Sequence, residues 1–195
     1  MAWIAVFGGS CAVLAPEVCM ALDRLGMNYN VLGDLELLAG SFRGYGVLVI
    51  PGGYTFELLK LLRVGGAEEV RRFVEGGGGY VGICMGAYAA PHIGLTRARM
   101  ARMSGTRVET VSIVDEGHPV VEGFRGEVGM HYQNGPHMVP SEQDHPIALF
   151  RDGTAAIMEC RGHRGKVILF STHPEMKPET TPMLRNAVKY CLKSE

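Results

Sequence analysis

Short apolar runs, each broken by glycine or proline, alternate along this chain with stretches of helical periodicity. Residues 3–7 form the first run, which stops at Gly8-Gly9-Ser10. Pro16 then opens a helix, since its fixed φ suits a first turn and its missing N–H is not needed there. Val18, Leu22 and Leu25 fall on one face, and Gly26 ends the helix. Residues 28–32 predict a second strand. Val47-Leu48-Val49-Ile50 is apolar on both faces, as in a strand buried within a parallel sheet, and breaks at Pro51-Gly52-Gly53. Residues 56–62 and 67–74 read as helix, with Glu68, Glu69, Arg71 and Arg72 turned to water. Glycines 76 to 79 then feed another apolar strand, which runs into Gly82-Ile83-Cys84-Met85-Gly86.

This β-α-β-β-α-β-α order predicts an α/β fold, a parallel sheet covered by helices. The middle of the chain differs. Residues 108–114, 128–132 and 154–160 carry strand-like residues between turn signals and predict antiparallel additions at the sheet edge or over a site. Residues 166–170 return to the buried type and run into Ser171-Thr172-His173-Pro174-Glu175. A helix over 182–192 closes the chain. No repeat or linker divides it, so residues 1–195 are expected to form one domain.

Composition narrows the function classes. With a net charge of -1, nothing draws the chain toward nucleic acid or a membrane surface. No apolar run reaches the length of a membrane span. Residues 1–7 lack a basic start and are too short for a signal peptide, so they read as strand. The five cysteines are odd in number and include no C-x-x-C pair, which argues against a disulfide scaffold or structural zinc. Reduced thiols and a cytoplasmic location are expected. His131, His137 and His163 lack metal-ligand spacing, and neither metal nor cofactor is called for.

Gly82-Ile83-Cys84-Met85-Gly86 has the form of a cysteine nucleophile elbow, a strand, a tight turn and a helix with the thiol at the turn. The helix N-terminus aimed at the sulfur favours thiolate over thiol. A buried structural cysteine is the alternative. A cysteine nucleophile needs a base, and the base an orienting group. His173 and Glu175, two apart in an extended segment before and after a proline, project to one side and fill those roles. The backbone N–H of Met85, with that of Gly52 or Gly53, would receive the oxyanion. In a parallel sheet, ligands gather beyond the carboxyl ends of the strands. If the three buried strands are neighbours, the Gly52-Gly53 turn, the elbow and the His173 turn meet at one edge. Singly, each also reads as ordinary structure: a strand-end histidine, a surface carboxylate, a plain turn.

Pro51-Gly52-Gly53-Tyr54, the segment from Gly76 to Tyr88, His131-Tyr132-Gln133-Asn134-Gly135-Pro136 and His173-Pro174-Glu175 together resemble the class I glutamine amidotransferase-like superfamily. The Asn134-Gly135-Pro136 word points to the branch named after the N-terminal domain of biotin-protein ligases. The resemblance implies a flavodoxin-like three-layer α/β/α sandwich, a mostly parallel central sheet with antiparallel edge additions, and a Cys84–His173–Glu175 triad. Glutamine-using members usually carry a glutamine two residues after the second elbow glycine. Here that residue is Tyr88, which cannot offer an amide's paired donor and acceptor. This argues against glutamine and leaves the substrate open.

The reading is therefore a cysteine-dependent amidase or amidotransferase acting on a small amide through an acyl-thioester, with Tyr54, Tyr88 and Asn134 assigned to the substrate pocket. Asn134 also reads as a turn residue. The expected partners are a small molecule and a synthetase or acceptor enzyme; a homodimer is compatible. A non-catalytic binding or regulatory module, or a DJ-1-like thiol protein handling oxidants or aldehydes, are the competing classes. His118-Pro119 and His145-Pro146 lack an acid two positions on and read as turn starts. Arg97, Arg99, Arg102 and Arg107 read as a solvated face, or as an anion-binding rim.

Overall fold

The computed structural model describes residues 3–192; Met1 and Ala2, at the head of the first apolar run, lie outside them. The elements follow in the order β1 (Ile4–Phe7), α1 (Ala15–Arg24), β2 (Tyr29–Leu32), α2 (Asp34–Leu38), β3 (Val47–Ile50), α3 (Thr55–Leu61), α4 (Ala67–Glu75), β4 (Gly79–Ile83) and α5 (Met85–Ile93). Then come β5 (Arg99–Arg102), β6 (Thr106–Ile113), β7 (Glu127–Gln133), β8 (Pro136–Val139), β9 (Asp144–Leu149), β10 (Ala155–Cys160), β11 (Val167–Phe170) and α6 (Thr181–Leu192).

Every residue of β1, β3, β4 and β11 is buried. Burial on both faces is why these strands read as continuous apolar runs. The sheet order is β2-β1-β3-β4-β11-β10-β9-β6-β7, and the first five strands are mutually parallel. The remaining neighbours along that order are antiparallel, as is the β5–β8 pair laid beside β10. Val18 and Leu22 of α1 share one core with Leu184 and Val188 of α6. Leu58 of α3, Val70 and Phe73 of α4 and Ala89 of α5 belong to the other. Helices thus cover both faces, giving a flavodoxin-like three-layer sandwich.

The helices expected over 56–62 and 67–74 form as α3 and α4, joined across a kink. Gly65 takes φ +123 there, a conformation closed to other residues at low cost, and the chain resumes as α4. The antiparallel flank departs from expectation. His145-Pro146 is not a turn start: both residues lie inside β9, opposite Glu159 and Met158 of β10. Pro146 is tolerated because β9 meets β6 only at Ala148 and Leu149, so its missing N–H faces no ladder partner on that side. His118-Pro119 does begin a turn, a 3-10 helix over Pro119–Val121. Among the described residues, no helix is long and apolar enough to cross a membrane.

Candidate active site

β3, β4 and β11 are adjacent and parallel, so their carboxyl ends meet at one edge. Cys84 follows β4 and holds φ +50 and ψ -96 as α5 begins. That strained backbone for a non-glycine residue is the price of a sharp strand-to-helix reversal, and strain of this kind costs about 1–3 kcal/mol. The elbow glycines are required sterically. A Cβ on Gly82 would come within 2.7 Å of the Gly86 carbonyl carbon, and one on Gly86 would collide with the Ile50 carbonyl oxygen.

His173 follows β11 and is fully buried. Its backbone N–H donates to the His131 carbonyl at 2.8 Å, which fastens it to β7. Its Nδ1 lies 2.8 Å from Glu175 Oε1. The pairing is made by a turn, not a straight strand: a 3-10 turn over Pro174–Met176 carries Glu175 back onto the ring. Glu175 is buried, and its Oε2 has no partner among the described residues. Burial pulls the His173 pKa down. The charge of Glu175 and hydrogen bonds with Cys84 and Glu175 outweigh it, and the group is pushed up to about 10.

Cys84 Sγ lies 3.5 Å from the Gln133 carbonyl oxygen, and His173 Nε2 lies 3.4 Å from the same atom. The last residue of β7 therefore bridges thiol and imidazole. Gln133 acts through a carbonyl that every residue possesses, so its place in the His131-to-Pro136 word is the one sequence signal it carries.

Gly52 and Gly53 follow β3. A Cβ on Gly52 would press within 2.9 Å of His173 Cε1, and one on Gly53 would collide with the Cys11 carbonyl oxygen. Asn134 serves its turn. It adopts φ +54, its Oδ1 accepts the Gly105 N–H at 2.8 Å, and its own N–H donates to the Gly105 carbonyl at 3.1 Å. Gly135 follows because any side chain would collide with the Ser171 carbonyl oxygen.

A cavity of about 1210 Å³ opens on Cys84, and Gly53, Tyr54, Tyr88 and Asn134 line it with Leu14, Phe56, Met100, Arg102 and Met103. Burial raises the Tyr88 pKa, the Cys84 charge adds to that, and Arg102 and the Met103 backbone oppose it. The basic cluster divides: Arg102 lines the cavity, whereas Arg107 lies over the Tyr132 ring and pairs with Glu109. Arg99 and Arg102 sit in β5. Among the described residues, no group of three or more His, Cys, Asp or Glu could hold a metal ion. All five cysteines are free thiols.

Residues 43–107 match the family described as biotin-protein ligase, N terminal. The chain is 30% identical over 169 residues to the pyridoxal 5'-phosphate synthase subunit PdxT of Koribacter versatilis (strain Ellin345), covering 82% of this chain and 81% of that protein. Among solved structures, PurLQS from Thermotoga maritima superposes with a TM-score of 0.80 at 15% identity, covering 96% of this chain and 97% of that one. A protein described as a glutamine amidotransferase superposes with a TM-score of 0.72 at 22% identity, covering 97% and 98%.

Proposed function

We propose that this chain, which belongs to the class I glutamine amidotransferase-like superfamily, is a cysteine-dependent amidase or amidotransferase that forms an acyl-thioester on Cys84. The observation that carries the reading is the shared approach of Cys84 Sγ and His173 Nε2 to one carbonyl oxygen, with Glu175 on the other imidazole nitrogen. His173, made more basic by Glu175, takes the thiol proton. The thiolate attacks the amide carbon. The oxyanion faces the N–H of Met85, one of the first helical amides, which have no intrahelical acceptor. The amides of Gly52 and Gly53 make no backbone hydrogen bond among the described residues and supply the second donor. His173 returns its proton to the departing amine. Water or an acceptor amine then cleaves the thioester, with His173 as base.

Tyr88 at the cavity wall supports an amide other than glutamine. The name of PdxT refers to a synthase subunit. We extend this to an acceptor enzyme as partner here, with residues 1–195 acting as one domain.

Acid-quenched incubation with chromogenic p-nitroanilides, followed by mass spectrometry, is expected to find an acyl adduct on Cys84. Cys84→Ala should lower turnover by about 10³-fold or more. Turnover that survives this substitution would sink the proposal. A diazo-ketone analogue of glutamine should leave Cys84 unlabelled while general thiol reagents modify it.

A further inference from the structure

We infer that the substrate is a polypeptide segment of about four residues, which adds as an extended strand to the free edge of β5 and lays its reacting amide on Cys84. The inference rests on the Cys84 acylation reading and names the substrate class of that site.

β5 ends the β10–β8–β5 ladder, and among the described residues it pairs with β8 alone. Outside that ladder, residues 99–102 make no backbone–backbone hydrogen bond among the described residues. An edge strand turns the N–H and C=O of every second residue away from its neighbour, and an extended peptide satisfies them by adding one more strand. β5 contains no proline, so every residue in it keeps an N–H to donate.

That edge borders the cavity. Ala98, Met100 and Arg102 line it with the period of one strand face, whereas no residue of β8 does. The cavity therefore lies on the side of β5 away from β8. The strand also leads to the reacting atom. Just past its end, Gly105 and Asn134 exchange hydrogen bonds of 2.8 and 3.1 Å, and the adjacent Gln133 carbonyl lies 3.5 Å from Cys84 Sγ. On another wall, Cys84, Tyr88 and His92 line the cavity at successive turns of α5, a span of about 12 Å. The four residues of β5 span about 13 Å, the reach of a four-residue strand.

Size and chemistry agree with such an occupant. At about 1210 Å³ the cavity exceeds the roughly 300–1,000 Å³ of typical small-molecule sites. Val13, Tyr54, Phe56 and Met103 are exposed large apolar side chains, and all four gather at this cavity, where they would cover apolar side chains of the segment. The chemical step is unchanged. The thiolate attacks the carbonyl carbon at the segment's C-terminal end, the C–N bond breaks, and the amine leaves with a proton from His173. Water then releases the acid.

The test keeps the leaving group constant and lengthens the acyl part. Acetyl-Leu-p-nitroanilide is compared with longer anilides up to acetyl-Val-Ala-Val-Leu-p-nitroanilide, and with that longest one N-methylated at a single peptide nitrogen at a time. On the wild type, kcat/KM should climb by about tenfold or more along the series, since each main-chain hydrogen bond gained is worth about two- to tenfold. N-methylation should lower it by about fivefold or more at alternate nitrogens and by less than twofold between them. Rates indifferent to length, or losses that do not alternate, overturn the inference. Hydrogen exchange on Cys84→Ala locates the strand: the longest anilide should slow exchange of amides within residues 99–102, and protection elsewhere only would overturn the assignment to β5. Slowed exchange there without turnover of any anilide by the wild type upholds the strand site and rejects acylation. Turnover indifferent to length, with exchange in β5 unchanged, rejects the strand site and leaves acylation standing. Neither turnover nor slowed exchange overturns both.

Discussion

Glu175 beyond β11 and Glu159 on β10 are both buried carboxylates facing a histidine, and they are finished differently. Glu175 holds His173 through one oxygen and leaves the other without a partner. Glu159 receives the Tyr190 hydroxyl at 2.6 Å on Oε1 and Arg161 Nε at 2.7 Å on Oε2, with His118 Nε2 3.7 Å away. His118 Nδ1 accepts the Val120 N–H, so its ring proton sits on Nε2, toward Glu159. Burial works to raise the Glu159 pKa, but the interactions with His118, Tyr190 and Arg161 prevail and hold it at about 2. Around Glu159 both carboxylate oxygens are answered by hydrogen bonds within the fold, while His118 Nε2 stands beyond hydrogen-bond distance. Around Glu175 there is an unanswered oxygen, a thiol on a strained residue and an open cavity. A histidine–carboxylate pair is thus not a catalytic signature in itself; what surrounds it decides.

Exchanging each carboxylate for its amide gives the largest contrast. Glu175→Gln is expected to lower kcat by about 10²–10⁴-fold, since the amide cannot hold the imidazole in its working tautomer and charge. Glu159→Gln should leave kcat within about twofold and cost about 1–3 kcal/mol in denaturant unfolding. An inverted result, with activity tracking Glu159, would break the distinction.

The pH dependence of stability sharpens it. His173 is raised from 6.5 to about 10, so its contribution is complete below about 6.5 and is lost as pH climbs through 10. Glu159 is lowered from 4.5 to about 2, so its contribution is complete above about 4.5 and fades as pH falls through 2. Unfolding curves should therefore lose the alkaline arm in His173→Gln and the acid arm in Glu159→Gln. Identical profiles in both variants would show that neither pair sets its arm.

The smallest effect tests whether the turn beside the site is closed like the Glu159 network. Asn134→Gly keeps the positive φ and removes the bond to Gly105, at a cost of about 0.5–1.5 kcal/mol. Asn134→Ala adds about 1–2 kcal/mol for the left-handed backbone. Equal losses, read from unfolding midpoints, would mean the backbone conformation carries no cost there.

The parallel half was legible because doubly buried strands leave an unmistakable apolar run, and their glycine and histidine turns are local words. The antiparallel half was less so. Pro146 inside β9 signals a break unless one knows that its neighbour strand stops short. β8 pairs with β10 at a single position, Met138 with Ala155, and draws its other partners from β5. His118 and His145 carry no acid two positions on. Their true partners, Glu159 and Asp115, come from distant strands and turns that spacing cannot reveal. Cys84, His173 and Glu175 sit in local motifs that the sequence displays. Those that shape its cavity, such as Leu14, Phe56 and Met100, arrive from loops and an added strand and carry no motif.

The contact between Gly86 and the Ile50 carbonyl oxygen divides the molecule into parts with unequal freedom to change. No side chain larger than hydrogen fits there or at Gly82, so descendants of this chain inherit the position of Cys84 almost unaltered. Apart from Gly53, the cavity wall is built from residues that already carry side chains. New substrate preferences can therefore be explored by drift in the walls while the reacting centre stays fixed, which makes this a scaffold on which directed evolution should target the lining and leave the elbow alone.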